Sequence, residues 1–229
     1  MRSAVPGTAV KLESNMQPRF TLRPVVVAAA LLAVGAAQAS VDVYNDEASF
    51  LAAISNYATD TFEDLIPGVA YPGPLVRSAG SVGYTVSTAP NSPILYGAGD
   101  GADAWLSSNN AADFVTFEGF SQPIYAIGAY AFGSDINGLF QAKGLTAARV
   151  TTGEGTTVDF TLRAGVDNYF GFVSSTPITM FEIKTFYGQN NITWPTINDL
   201  TVAAVPEPGT YALLLAGLAA VGFVARRRS

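Results

Sequence analysis

The last 25 residues constrain this chain more than any other stretch; they read VPEPGTYALLLAGLAAVGFVARRRS, from Val205 to Ser229. Pro206 and Pro208 cannot donate backbone hydrogen bonds, and each restricts the residue before it. Val205 to Pro208 is therefore expected to stay extended, in a form that a peptide-processing enzyme can grip. From Gly209 to Ala225 there is no charge, and Leu213, Leu214, Leu215, Leu218, Val221, Phe223 and Val224 make the run apolar on every side. A soluble helix keeps one polar face. This run has none, so a transmembrane helix over 209–225 is expected rather than a buried core helix. It would be about 25 Å long at ~1.5 Å per residue, a little short of a hydrocarbon core of roughly 30 Å. Tyr211 at one edge and the arginines at the other can reach the headgroups and make up the difference. By the positive-inside rule Arg226, Arg227 and Arg228 stay cytoplasmic as a membrane stop. Val205 and everything before it must then fold on the far side.

This three-part tail resembles the PEP-CTERM sorting signal of Gram-negative bacteria. The resemblance rests on Pro206-Glu207-Pro208, the Gly/Leu/Ala-rich span and the terminal Arg226-Arg227-Arg228. It implies recognition by a membrane transpeptidase of the exosortase type, with cutting near the motif at Val205, Pro206, Glu207 and Pro208. It further implies transient anchoring in the inner membrane and an envelope or extracellular destination, often in species that make exopolysaccharide. The tail is an address and does not define the activity of the body.

The front of the chain fits the same route. Arg19 and Arg23 precede the apolar run Val25 to Ala37, and Ala37-Gln38-Ala39 fits the small-x-small rule. A secretory signal peptide over 1–39 is expected, cut by signal peptidase before Ser40. The alternative is an N-terminal anchor, for which the run is short. Met1 and Met16 are both possible starts. The remainder, 40–204, is one domain of ordinary size. It can bury roughly two-thirds of its surface without cross-links. There is no cysteine, so no disulfide framework supports it. It holds five basic side chains (Arg77, Lys143, Arg149, Arg163 and Lys184) against sixteen acidic ones, a net charge of −11. That balance excludes nucleic acid, whose phosphates need basic contacts. It suits an exported protein or one that collects divalent cations.

Within the body only Asp46 to Asn56 reads as a helix, with Asn45 or Asp46 as its cap and Phe50, Leu51 and Ile54 as its apolar stripe. The rest reads as about ten short strands. Gly68 to Gly80 and Gly97 to Ala112 are expected to be loops. Gly153-Glu154-Gly155 marks a hairpin between Leu145–Thr152 and Thr156–Leu162. Tyr169–Val173, Ile178–Phe186 and Ile197–Val202 close the set. An all-β antiparallel β-sandwich or jelly roll with one short N-terminal helix follows. The layout also resembles the β-sandwich bodies often attached to this sorting signal, through Phe62-Glu63-Asp64, Tyr169-Phe170-Gly171-Phe172-Val173 and Ile197-Asn198-Asp199-Leu200. That resemblance implies a lectin-like or carbohydrate-module-like jelly roll. Many relatives carry two acids before the final Leu, where this chain has Asn198 and Asp199.

The chemistry available is narrow. Without histidine or cysteine there is no Ser-His-Asp or Cys-His catalysis and no zinc site of the usual ligands. No phosphate-binding loop is present. A glycosidase needs two facing carboxylates about 5 to 9 Å apart. Glu63, Glu118, Glu154 and Glu182 qualify by type alone, with ordinary surface acids as the competing reading. Calcium takes six to eight oxygen ligands. Candidates are Glu63 or Asp64 beside Asp199, if first and last strands adjoin, and separately Asp100 and Asp103 around Gly101. Ordinary turn chemistry competes with both. Sugar rings stack on exposed aromatics, for which Trp105 and Trp194 are the candidates, with core packing as the alternative. The expected function is a non-catalytic envelope or matrix protein that binds polysaccharide. A secreted glycan-active hydrolase and a purely structural or adhesive surface protein stand as alternatives.

Overall fold

The computed structural model describes residues 40–163, 165, 168–186 and 192–204, together with Gly217, Leu218, Val221 and Arg226. The expected signal peptide with Ala37 and Ala39, the sorting residues Val205 to Pro208, Arg227, Arg228 and most of the span 209–225 lie outside the described residues. Gly217, Leu218, Val221 and Arg226 are helical and exposed. Among the described residues no helix is long and apolar enough to cross a membrane.

The body is all-β and antiparallel. Its elements run β1 (Val41–Tyr44), α1 (Glu47–Ala53), β2 (Tyr57–Asp60), β3 (Ala70–Pro72), β4 (Leu75–Ala79), β5 (Val82–Ala89) and β6 (Ile94–Gly99). They continue with β7 (Ala104–Ser108), β8 (Phe114–Glu118), β9 (Ile124–Ser134), β10 (Leu145–Thr152), β11 (Thr157–Arg163), β12 (Tyr169–Phe186) and β13 (Trp194–Ala203). The stretches Tyr169–Val173 and Ile178–Phe186, expected as separate strands, form one strand of 18 residues. Its first half pairs with β1 and β9, and its second half with β8 and β10. β12 thus joins two layers. The first runs β3-β6-β7-β13-β9-β12-β1, with β2 beside the end of β13; the second runs β4-β5-β8-β12-β10-β11. The outermost strands β3 and β4 are consecutive in sequence, so the sheet is nearly closed.

Alternation explains the core. Along β5 and β10 every second residue is buried, the period of a half-covered strand. Leu95, Leu106, Ile127 and Ile197 from the first layer meet Val86, Val115, Phe117, Phe181 and Ile183 from the second in one cluster. Each such side chain contributes about 1.5–3 kcal/mol by leaving water.

Two expected loops are strands. The stretch 68–80 contains β3 and β4, and the stretch 97–112 contains the end of β6 and all of β7. Two of the glycines that suggest a loop there, Gly97 and Gly99, serve close backbone approach. A Cβ on Gly97 would stand 2.3 Å from the Ile66 carbonyl oxygen, and one on Gly99 would stand 2.3 Å from that of Asp103.

Asp46 caps α1 by accepting a hydrogen bond from the Ser49 N–H at 2.8 Å. The helix is shorter than expected and ends at Ile54 in extended backbone. It lies on the outer face of the first layer, where Phe50 packs with Ala126, Tyr169, Val173 and Ala203. Gly171 permits this seat, because its missing Cβ would lie 2.7 Å from the Phe50 ring.

Candidate functional site

The outer face of the first layer carries the features that could bind a ligand. Across it Tyr96 stands opposite Ser107, Ser107 opposite Thr196, and Thr196 opposite Phe132. The two-residue period adds Ala98, Trp105, Trp194 and Ser134 to the same face. The segment after β9 folds back over part of it. The Asp135 carboxylate accepts hydrogen bonds from the N–H groups of Asn137 at 2.8 Å and Leu139 at 3.0 Å, which shapes this turn. Phe140 then packs on Phe132, which meets Trp105 edge-on at 4.9 Å between ring centres.

Trp105 is consequently 5% exposed. Its ring serves the small cluster with Ala98 and Phe132, and no face is open for sugar stacking. Of the two readings left open by its loop-like stretch, stacking surface or core packing, the second applies, since Trp105 is part of β7 beneath the folded-back segment. Trp194 is half-buried, and its indole N–H donates to the Asn109 carbonyl at 3.2 Å.

Beside the covered part lies a cleft of about 400 Å³, lined among others by Tyr96, Trp194, Ser107, Asn109, Asp135 and Asn137. That volume is within the range of roughly 300–1,000 Å³ usual for small-ligand sites. The floor is polar and buried. Ser107 donates to the Pro195 carbonyl at 3.2 Å, Ser108 donates to the Asn110 carbonyl at 2.9 Å, and the Thr196 hydroxyl lies 2.7 Å from that of Ser134. Of these residues the sequence pattern singles out Trp194. It does not single out Asn109, Asp135 or Asn137, although Asp135-Ile136-Asn137-Gly138 has the composition of a side-chain-stabilised turn.

A second group of polar residues lies where β13 changes neighbours. Ile197 still pairs with β7, whereas Leu200 pairs with β2. A β-bulge between Asn198 and Thr201 marks the change, with Asp199 at φ 51°. Asp tolerates this left-handed conformation better than most residues. Glu63 follows β2 and Asp103 precedes β7, so both arrive at the same break. Asn198 donates to Asp103 at 2.9 Å and accepts from the Asp199 N–H at 2.9 Å. Burial first, then the charges of Asp103, Glu47 and Glu63, push the Asp199 carboxyl up to about 6. A hydrogen bond with Asp103 is the main cause that raises the Glu63 carboxyl.

Glu63 and Asp103 thus lie near enough for their charges to act on Asp199. Asp64 and Asp100 are engaged elsewhere. Asp100 accepts from the N–H groups of Ala102 and Asp103 in its own turn. Asp64 pairs with Arg77 at 2.7 Å, and that hydrogen bond lowers its carboxyl below the usual range. Arg77 also grips the buried Asp60 with Nε and Nη2, both at 2.7 Å, while Tyr84 donates to Asp60 at 2.5 Å. Phe62 lies under the guanidinium at 4.9 Å. Phe62 and Asp64 thus belong to a structural ion-pair network. No group of three or more acidic side chains among the described residues converges tightly enough to hold a metal ion.

The remaining acids fall in two places. Glu154 occupies the β10–β11 turn. Glu118 and Glu182 are diagonal neighbours on the outer face of β8 and β12, where Arg149 stands opposite Glu182.

Residues 204–228 match the PEP-CTERM protein-sorting motif. No curated protein matches the chain. The motif marks an exported protein with a membrane-associated sorting signal, addressed to an exosortase.

Proposed function

For a chain addressed to exosortase, we propose a non-catalytic role in the cell envelope or extracellular matrix, where the jelly-roll-like body binds polysaccharide. The cleft between Tyr96 and Trp194 is the observation that carries this reading. It combines two aromatic rings with a hydrogen-bonding floor, the pairing that a sugar with apolar ring faces and a hydroxyl rim requires. The layered antiparallel body supports it as a rigid platform for such a cleft. Signal peptidase removes the leader, and exosortase processes the tail near Pro206-Glu207-Pro208 after transient inner-membrane anchoring.

Two measurements test the proposal. Cells expressing the chain with and without residues 205–229 are fractionated; the intact form is expected to be trimmed and to leave the inner membrane, and the truncated form to settle elsewhere. Identical distribution of both forms, with no trimming, would refute the sorting step. The processed protein is then applied to a glycan array beside its Trp194→Ala variant. Binding that the variant loses supports the cleft. Silence on the array favours a purely structural or adhesive protein.

A further inference from the structure

We infer that the cleft takes an uncharged, hydroxyl-rich sugar chain and rejects acidic exopolysaccharide; this rests on the polysaccharide-binding reading above.

Among the described residues no lysine or arginine lines the cleft. The basic side chains nearest in kind are engaged elsewhere: Arg77 on Asp60 and Asp64, Arg149 on Asp159, and Lys184 over the Phe114 ring. Lys143 follows the folded-back segment but does not line the cleft. Among the described residues Asp135 is the one carboxylate in the lining. A uronate, sulfate or phosphate group entering here would meet a carboxylate and no compensating cation. Removing such an anion from water without a partner is costly. The net charge of −11 over 40–204 adds repulsion at longer range.

The hydrogen-bonding groups select in the same direction. A serine hydroxyl has one proton and two acceptor lone pairs. The Ser107 and Ser108 protons are already directed at the Pro195 and Asn110 carbonyls. Ser107 also accepts from the Thr196 hydroxyl at 2.9 Å, so what these two hydroxyls offer a ligand is their remaining acceptor capacity. The Asp135 carboxylate is likewise an acceptor, and the Trp194 indole N–H is occupied by the Asn109 carbonyl. Asn109 has one amide N–H directed at Ser92. Side-chain donors from the described lining are therefore few, supplied by the Tyr96 phenol, Asn137 and Asn109. A cleft rich in acceptors needs a ligand rich in donors, and sugar hydroxyls supply them. Acidic groups supply none. Tyr96 and Trp194 then cover the apolar faces of the rings.

The test uses the processed protein and two polymer classes, laminarin and dextran against alginate and polygalacturonate, in affinity electrophoresis and titration calorimetry. The expected result is retention by a neutral glucan that is insensitive to salt. It should weaken about tenfold in Trp194→Ala and in Tyr96→Ala, the loss typical of an aromatic anchor. Trp194→Phe, which keeps a ring, should retain most binding and guards against a folding defect. Binding of alginate or polygalacturonate that Trp194→Ala abolishes would overturn the inference while leaving the polysaccharide reading intact. Failure of every polymer, neutral and acidic, would overturn both. Neutral binding unchanged in all three variants would also overturn the inference, because it would place the site away from the cleft.

Discussion

Asp199→Asn is expected to stabilise the protein at neutral pH, and the size follows from the environment of the bulge. The Asp199 carboxyl rises from its ordinary value of 3.8 to about 6, because it is partly buried and faces Asp103, Glu47 and Glu63. Each pH unit of difference between folded and unfolded chain is worth about 1.4 kcal/mol, so the ceiling is ~3 kcal/mol. Asp199 remains partly exposed, and solvent screening reduces the expected effect to about 1–2 kcal/mol. The sign is opposite to the usual carboxylate. As pH rises from about 4 to about 6, the unfolded chain has released this proton while the folded chain still holds it. The unfolded state then binds fewer protons, and stability falls over that interval. Above it the penalty is constant. Asparagine has the same shape, accepts the left-handed backbone at φ 51°, and carries no charge. Urea unfolding of both proteins at pH 4 and pH 7.5 reads the difference. Asp64 and Asp159, whose carboxyls are lowered by Arg77 and Arg149, change stability in the other direction but are common to both proteins. Equal stability at pH 4 and a more stable variant at pH 7.5 are expected. A variant that is weaker at pH 7.5, or a difference that does not change with pH, would refute the account of the break as a site of carboxylate repulsion.

Three further outcomes are expected. Arg77→Met should cost about 3–5 kcal/mol in urea unfolding, since it leaves buried Asp60 with only Tyr84 and the Phe62 N–H as donors; a loss below ~1 kcal/mol would show that the network is an ordinary surface pair. Gly171→Ala should cost about 1–3 kcal/mol, because its Cβ meets the enclosed Phe50 ring at 2.7 and 3.0 Å. Hydrogen exchange should then quicken in α1, and pairing with Phe50→Leu should recover part of the loss. Chelator is expected to leave the melting temperature unchanged, because the acids near Asp199 do not converge on one point; a drop that added calcium reverses would restore Glu63, Asp103 and Asp199 as ligands, since a ligand of the native state must raise its stability.

The β class was legible because alternation and turn signals survive in short strands: Ser81–Thr88 alternates and holds strand Val82–Ala89, and Leu145–Thr152, flanking the Gly153-Glu154-Gly155 turn, is a strand. Layering was not legible. Nothing local distinguishes two strands from one strand that changes sheets, and the 18 residues of β12 read as two because Ser174 to Pro177 interrupts the apolar pattern. Glycine misled twice for one reason. Its lack of a side chain serves loops and close backbone contact alike, and at Gly97 and Gly99 the second use applies. From that error followed the placing of Trp105, which sits on β7 rather than on an open loop. The candidate sites show the same division. Adjacency of the first and last strands is what would place Glu63 or Asp64 beside Asp199, and β2 does pair with β13, although Asp64 turns to Arg77. Asp103 could not be added, because its arrival depends on β7 ending its pairing with β13 at Ile197, two residues before the bulge at Asp199. A partner change of this kind explains why the acids gather there. Where β13 passes from β7 to β2, neither neighbour covers the strand, and polar side chains from both flanking segments can reach water at the gap. The cleft has a parallel origin, at the place where the segment after β9 covers the face bearing Trp105 and leaves Tyr96 and Trp194 at its margin.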